Sequence, residues 1–132
     1  MREIARVDVH GGGAPYRQDI QAGRHSLTAD EPATAGGADA GPAPYQLLLA
    51  SLGACTSMTL YMYAERKQWN IGKLHVALQL NKDSAGIASI QRQISSDVTL
   101  EDAQWQRLLE IAEKTPVTLT IKAGASVTTR RG

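Results

Sequence analysis

The chain has 132 residues, 42% of them hydrophobic, which favours a single domain spanning residues 1–132. Its 14 basic and 13 acidic residues leave a formal net charge of +1. Neither sign forms a block, so the sequence indicates no nucleic-acid partner and no charged disordered tail. One cysteine excludes an internal disulfide framework, and the N-terminus lacks the apolar run of a signal peptide. These features favour a reducing, cytoplasmic location.

Short strands are predicted before the first helix. Residues 2–10 alternate apolar and charged side chains, and residues 16–30 predict a hairpin that reverses near Ala22-Gly23. The Gly/Pro/Ala-rich segment 30–44 is predicted to be a loop. Its three acidic residues raise the alternative of a metal cluster. We favour a solvated loop, with no metal and no cofactor, because oxygen-ligand cation sites bring more carboxylates at tighter spacing.

A long apolar helix is predicted from Pro44 to about Lys67, with proline at its first position. No charged side chain occurs between residues 47 and 64, and apolar residues surround most of the circumference. Such a helix must be buried on nearly every side. Because six short strands can cover little more than one face, we expect a second copy of the helix to cover the rest. The chain is therefore predicted to be an obligate homodimer with Leu52 and Met58 in its core.

The same stretch reaches the lower length limit for a membrane span. It contains several hydroxyl side chains and a glycine, and it lacks aromatic belts and a basic cluster on one side. We therefore expect no membrane partner.

Two strands, a helix and a last strand are predicted after the long helix. Residues 73–83 and 89–100 alternate in polarity around a turn at residues 84–86, and residues 101–114 have helical spacing. The chain is predicted to end with a strand centred on residues 126–129. The order β-β-β-α-β-β-α-β belongs to the α+β class.

The single cysteine, Cys55, has two interpretations. A free cysteine often serves as a small buried hydrophobe. A reactive thiol needs its pKa lowered by a helix N-terminus, a cation or a metal. Cys55 lies about three turns into the predicted helix, beyond the reach of the helix dipole. The available cations are Arg17 and Arg24, with His25 as a third candidate, whereas the scattered histidines have no zinc-site spacing.

Most of the chain resembles the OsmC/Ohr family, the osmotically inducible and organic hydroperoxide resistance proteins. The matching run is HSLTADEPATAGGADAGPAPYQLLLASLGACTSMTLYMYAERKQW, with its DEP, GG, GP-x-PY and LGACT-x-MTL-x-MYA-x-RK elements. The later segment IAEKTPVTLTI resembles the second family signature, a cysteine directly before proline followed by a short helix. The resemblance implies the OsmC-like fold, an intertwined homodimer in which two sheets wrap around two long central helices.

The resemblance also implies roles for individual residues. Cys55 matches the peroxidatic cysteine, whose thiolate attacks the O–O bond of a hydroperoxide. Thr115 stands where the family has its resolving cysteine, and a hydroxyl cannot form a disulfide. Tyr45, with Gln46 beside it, stands where the peroxidases have an acid, and Arg17 comes a few residues after the position of the activating arginine.

These departures leave three functions open, so whether the protein is an enzyme stays undecided at this point. The first is a one-cysteine thiol peroxidase that reduces organic hydroperoxides and is recycled by an external thiol. The second is a non-catalytic protein that holds a small apolar or oxidised ligand near the dimer interface. In either case the ligand would contact residues around Cys55, namely Tyr45, Gln46, Met58 and Tyr61. The third is a scaffold in which Cys55 is structural.

Overall fold

The computed structural model describes residues 1–13 and 15–132. In chain order its elements are β1 (Asp8–His10), β2 (Gln18–Ala22), β3 (His25–Ala29), a 3-10 turn (Ala33–Ala35), α1 (Pro44–Lys67), β4 (Leu74–Lys82), β5 (Ala88–Ser96), α2 (Asp102–Ala112) and α3 (Pro116–Ala123). The strands form two antiparallel sheets, β1-β2-β3 and β4-β5. The predicted α+β class is confirmed.

The chain separates into two compact units, residues 1–48 and 49–132, and each is described by itself. The expectation of one domain over the whole chain stays a prediction. In the N-terminal unit, Val9, Ile20 and Leu27 lie opposite one another across the three strands. The predicted hairpin reversal near Ala22-Gly23 is confirmed: β2 and β3 are joined by a two-residue turn in which Gly23 has a φ of 62°. β1 is shorter than predicted, since residues 2–7 form no strand.

The loop after β3 is organised by Asp30, whose side chain is buried. Its carboxylate accepts hydrogen bonds from the backbone N–H groups of Glu31, Ala38 and Ala40 at 2.8, 3.2 and 3.1 Å. The bond from Ala40 is the largest cause of a pKa below the ordinary value, and the charge of Arg17 adds to it. Among the described residues no group of three or more His, Cys, Asp or Glu side chains forms a metal site. The carboxylate of Asp30 thus binds the backbone of the loop.

The core of the C-terminal unit lies between α1, α2 and the chain leading into β4. Leu60, Ala64, Ile71 and Leu108 form its buried centre. The predicted helix limits are confirmed, because α1 begins at Pro44 and ends at Lys67. It stops there because Gln68 adopts a φ of 57° and Trp69 N–H bonds back to the Ala64 carbonyl at 2.8 Å.

The β4-β5 hairpin presents two different faces. Leu78 and Arg92 lie opposite each other on the half-buried face, whereas the pair Gln79 and Gln91 lies on the exposed face. Gly53 lets α1 approach this hairpin, since a Cβ there would lie only 2.8 Å from the Leu78 side chain. Each of the two strands pairs only with the other among the described residues.

Within this chain α1 is buried on one side, and burial of the other side by a second copy stays a prediction. The buried residues repeat at helical spacing: Leu52, Gly53, Thr56, Leu60 and Ala64. On the other side Met58 and Met62 are each 60% exposed. The burial of Leu52 is confirmed, and that of Met58 in a dimer stays a prediction. α1 is long and apolar enough to cross a membrane, but core helices of soluble proteins satisfy the same criterion.

The predicted last strand is wrong. Residues 116–123 form α3, and residues 124–132 have no regular secondary structure. Thr115 caps α3 and Pro116 occupies its first turn, so α3 is the short helix after proline that the family resemblance implies. A strand also needs a neighbouring edge, and no described strand of this chain pairs with residues 126–129.

Candidate functional site

Cys55 is a free, half-buried thiol on α1. Its Sγ lies 4.0 Å from the Oγ1 of Thr59, one helical turn further along. Eleven residues of helix precede Cys55 in α1, and the first turn contains no acidic side chain. The helix dipole therefore contributes little at the thiol, as the sequence predicted.

The thiol belongs to an uncovered stripe that we call the α1 seam. The seam consists of residues at alternating spacings of three and four: Leu48, Ser51, Cys55, Met58 and Met62. Leu48, Met58 and Met62 are exposed, and Cys55 is half-buried among them. This spacing keeps side chains on one face of a helix, as in the seam of a helix pair. The one thiol of the chain thus lies beside exposed apolar side chains on one face of α1.

Tyr61, predicted to bind substrate, has its hydroxyl engaged elsewhere. The hydroxyl donates to the Gly72 carbonyl and accepts from the Leu74 N–H, both at 2.8 Å. These bonds tie α1 to the start of β4. The Tyr61 hydroxyl is therefore held by the backbone, and a role of Tyr61 in substrate binding stays a prediction.

Three predicted site residues belong to the N-terminal unit. Arg17 is exposed, and its Nε donates to Asp19 Oδ1 at 3.3 Å. Tyr45 is exposed at the start of α1, and Gln46 Oε1 accepts from the Ala43 N–H at 2.9 Å, which satisfies one backbone donor at the helix start. The pairing of these residues with Cys55 stays a prediction.

Sequence reasoning missed a buried polar cluster that begins one residue after Cys55. Arg92, only 12% exposed, extends from β5. Its Nη1 donates to the Oγ1 atoms of Thr56 and Thr118 at 2.8 and 2.9 Å. Its Nη2 donates to the Ala112 carbonyl at 2.9 Å and to Glu113 Oε2 at 3.1 Å. One guanidinium thus joins α1 to the end of α2 and to α3.

Two further side chains, Thr115 and Lys122, belong to this Arg92 cluster. Thr115 is fully buried and shares a hydrogen bond of 2.6 Å with Thr118, whose hydroxyl also donates to the Ala112 carbonyl at 3.2 Å. Glu113 accepts from Lys122 Nζ at 3.0 Å, and this bond is the largest cause of its lowered pKa. The hydroxyl at the position of the family's second cysteine is therefore fully engaged as a helix cap.

A signal for Arg92 was present in the sequence. Ile90, Arg92 and Ile94 are spaced by two and occupy the same half-buried face of β5. The alternation looked imperfect because a charge stands in the apolar row. An arginine between two inward isoleucines indicates a buried, hydrogen-bonded cation, since an unpaired buried charge is costly.

Comparisons with known proteins agree with this architecture. The sequence model described as OsmC-like protein matches residues 36–130. A crystal structure of a protein from Psychrobacter arcticus 273-4 matches with a TM-score of 0.78 and 16% identity, covering 91% of this chain and 90% of that chain. A comparison with curated proteins found no match.

Two further similar structures carry the name organic hydroperoxide resistance protein. One is the OsmC protein from Legionella pneumophila, with a TM-score of 0.68 and 18% identity over 91% of this chain and 90% of that chain. The other is OhrB of Bacillus subtilis, with a TM-score of 0.59 and 27% identity over 89% of this chain and 90% of that chain. The fold is shared with these proteins, and the family match covers well over half of the sequence. The chain belongs to the OsmC-like protein family.

Proposed function

We propose that this protein is a one-cysteine thiol peroxidase that reduces organic hydroperoxides through Cys55. The observation that carries the proposal is the placement of a free, half-buried thiol on the uncovered α1 seam. The hydroperoxide class is suggested by the names of the similar structures from Legionella pneumophila and Bacillus subtilis. The apolar side chains beside Cys55 suit the organic part of such a substrate.

The reaction would proceed in three balanced steps. The Cys55 thiolate attacks one oxygen of the hydroperoxide, the O–O bond breaks, and the other oxygen takes a proton and leaves as an alcohol, so that Cys55 becomes a sulfenic acid. An external thiol then displaces water and forms a mixed disulfide with Cys55. A second external thiol attacks that disulfide and releases the reduced protein and an oxidised disulfide.

An external reductant is required because this chain has one cysteine. At the family's second position, Thr115 offers a buried hydroxyl that cannot form a disulfide. Arg17 is our candidate for the cation that favours the thiolate. A chain that depends on external thiols fits a reducing compartment, which supports a cytoplasmic location.

We further propose that the active form is a homodimer in which a second copy covers the α1 seam. Support comes from the exposed apolar side chains of Leu48, Met58 and Met62, which lie at the spacing of a helix pair. A contiguous exposed apolar surface commonly marks an association site. Size-exclusion chromatography with light scattering tests this directly, and a stable monomer at micromolar concentration would contradict it.

The experiment that tests the peroxidase function is the consumption of cumene hydroperoxide with dithiothreitol as reductant. We expect turnover by the wild type and none by Cys55→Ser, with intact mass after one equivalent of peroxide showing one added oxygen or, with added thiol, a mixed disulfide. Arg107→Met, at an exposed arginine of the same unit, serves as a control that leaves the thiol and its neighbours in place. An unmodified mass, together with no alkylation of Cys55 in the native state, would favour a structural cysteine.

The second candidate function is ligand binding without turnover. The 60% exposure of both Met58 and Met62 beside Cys55 favours it, because methionine side chains adapt to varied apolar ligands. For such a protein, the wild type and the Cys55→Ser variant would bind a non-reactive alcohol analogue of the hydroperoxide with the same affinity. Peroxide consumption by the wild type decides between the two candidates.

A further inference from the structure

We propose that Arg92 is a positioning residue for the Cys55 site. Through Thr56 it holds the turn of α1 that carries the thiol against the junction of α2 and α3. The inference deepens the proposed function and rests on it for the peroxide measurement, whereas its second measurement does not depend on peroxide chemistry.

The first step in the argument is the link between Arg92 and the thiol-bearing turn. The Thr56 hydroxyl donates to the Leu52 carbonyl at 2.7 Å and accepts from Arg92 Nη1 at 2.8 Å. Cys55 lies between Leu52 and Thr56 in the same turn of α1. The orientation of that turn is therefore fixed by a side chain from β5 as well as by the helix itself.

The second step concerns the contacts that Arg92 makes with α2 and α3. Arg92 reaches α3 through Thr118 and the end of α2 through the Ala112 carbonyl. Thr118 in turn bonds Thr115, the cap of α3. A planar guanidinium with several fixed donors holds such a geometry better than a flexible ammonium group can.

The third step concerns the environment of the charge. Arg92 is nearly buried, whereas its carboxylate partner Glu113 has a side chain that is 61% exposed. An isolated buried cation is unfavourable, so Arg92 is stable at this position only while its hydrogen bonds are made. A charge held mainly by neutral oxygens from three helices therefore also fixes the geometry of those helices relative to β5.

Thr56→Val provides the sharpest test, because it keeps the volume of the side chain and removes only the hydroxyl. Thr56→Ser is the matched rescue variant, since it restores the oxygen that accepts from Arg92. We expect the second-order rate constant of Cys55 with cumene hydroperoxide to fall about 10- to 100-fold in Thr56→Val, as for misplaced reacting groups. It should stay within about 3-fold of wild type in Thr56→Ser.

Alkylation of Cys55 by iodoacetamide gives the measurement that needs no peroxidase activity. We expect its rate to change by more than about 3-fold in Thr56→Val and to recover in Thr56→Ser. Arg92→Lys should give the same defect as Thr56→Val, and Arg107→Met, an exposed arginine of the same unit, should leave the rate unchanged. Circular dichroism at the assay temperature establishes that each variant is folded.

The outcomes separate this inference from the proposed function. A wild type that does not react with hydroperoxide, but whose alkylation depends on the Thr56 hydroxyl, would refute the peroxidase and support the positioning role. If a folded Thr56→Val reacts at wild-type rates with both reagents, Arg92 is not a positioning residue. If Thr56→Val fails to fold, wild-type rates in a folded Arg92→Lys overturn the inference, and reduced rates support it.

Discussion

Nη1 of Arg92 lies 2.8 Å from Oγ1 of Thr56, so a charged side chain of β5 contacts the helix at the residue after the only thiol. Because this charge is mostly shielded from water, its bonds are stronger than those of exposed arginines. We expect Arg92→Met to lower the free energy of unfolding by about 2–4 kcal/mol, the loss of hydrogen bonds to a charged group. Urea denaturation measures it. Arg107→Met, which removes an exposed pair with Glu110 and the bond from Arg107 Nε to the Tyr63 hydroxyl, should cost no more than about 1 kcal/mol. Equal losses in the two variants would contradict the strength assigned to the cluster.

Leu52 belongs to the core of the chain, whereas Met58 belongs to the α1 seam. Leu52 is 4% exposed, so Leu52→Ala should lower the free energy of unfolding by about 2–5 kcal/mol at any protein concentration. Met58→Ala should mainly weaken association, because Met58 is 60% exposed within the chain. Urea denaturation and light scattering at two protein concentrations measure both effects. A Met58→Ala protein as dimeric as the wild type would show that the seam is not the contact between copies.

The Asp30 loop should make the N-terminal unit sensitive to acid. The folded pKa of Asp30 lies below its ordinary value because backbone N–H groups, led by that of Ala40, stabilise the carboxylate. The unfolded chain therefore binds a proton at higher pH than the folded chain does. The stabilisation is fully present above the unfolded value of about 3.9 and is lost as pH falls from there through the folded pKa.

Thermal unfolding between about pH 3 and pH 7 checks this prediction. Asp30→Asn should lower the melting temperature at neutral pH and flatten its decline in acid. Asp39→Asn is the control, because Asp39 lies in the same loop, is exposed, and has a φ of 55° that asparagine tolerates. An acid profile of Asp30→Asn that matches the wild type would show that Asp30 does not govern the loop.

Arg17 is predicted to be the arginine that activates the thiol. In the N-terminal unit Arg17 forms an exposed ion pair with Asp19. Because exposed ion pairs contribute little free energy, Arg17 can exchange this partner for another. We expect the rate of Cys55 alkylation to rise at higher pH in Arg17→Met than in the wild type. Arg24→Met should leave this pH dependence unchanged. The pH profile of iodoacetamide reaction in the three proteins is the measurement. Identical profiles would remove support for an activated thiolate and favour ligand binding.

The sequence predicted those parts of the fold that local signals control. Proline at the first position and the long uncharged run defined α1, and turn residues defined both hairpins. The last strand failed because pairing depends on a neighbour that the sequence does not identify. Arg92 was missed because its charge interrupts the apolar alternation of β5. Its inward position can be recognised only after the buried face of the strand has been assigned from Ile90 and Ile94. The bonds of the Tyr61 hydroxyl depend on the path of the chain from α1 to β4, which side-chain spacing does not show.

The β4-β5 hairpin has a consequence for solubility. In the part of the chain that the structure describes, the two nine-residue strands pair only with each other, and edges without a partner strand can recruit other chains into aggregates. The exposed face of the hairpin carries a cross-strand pair of glutamines, Gln79 and Gln91, where apolar residues would form an exposed hydrophobic patch. Their polarity makes association through this face less favourable. Attempts to stabilise the hairpin with valine at these two positions would therefore favour aggregation over correct assembly.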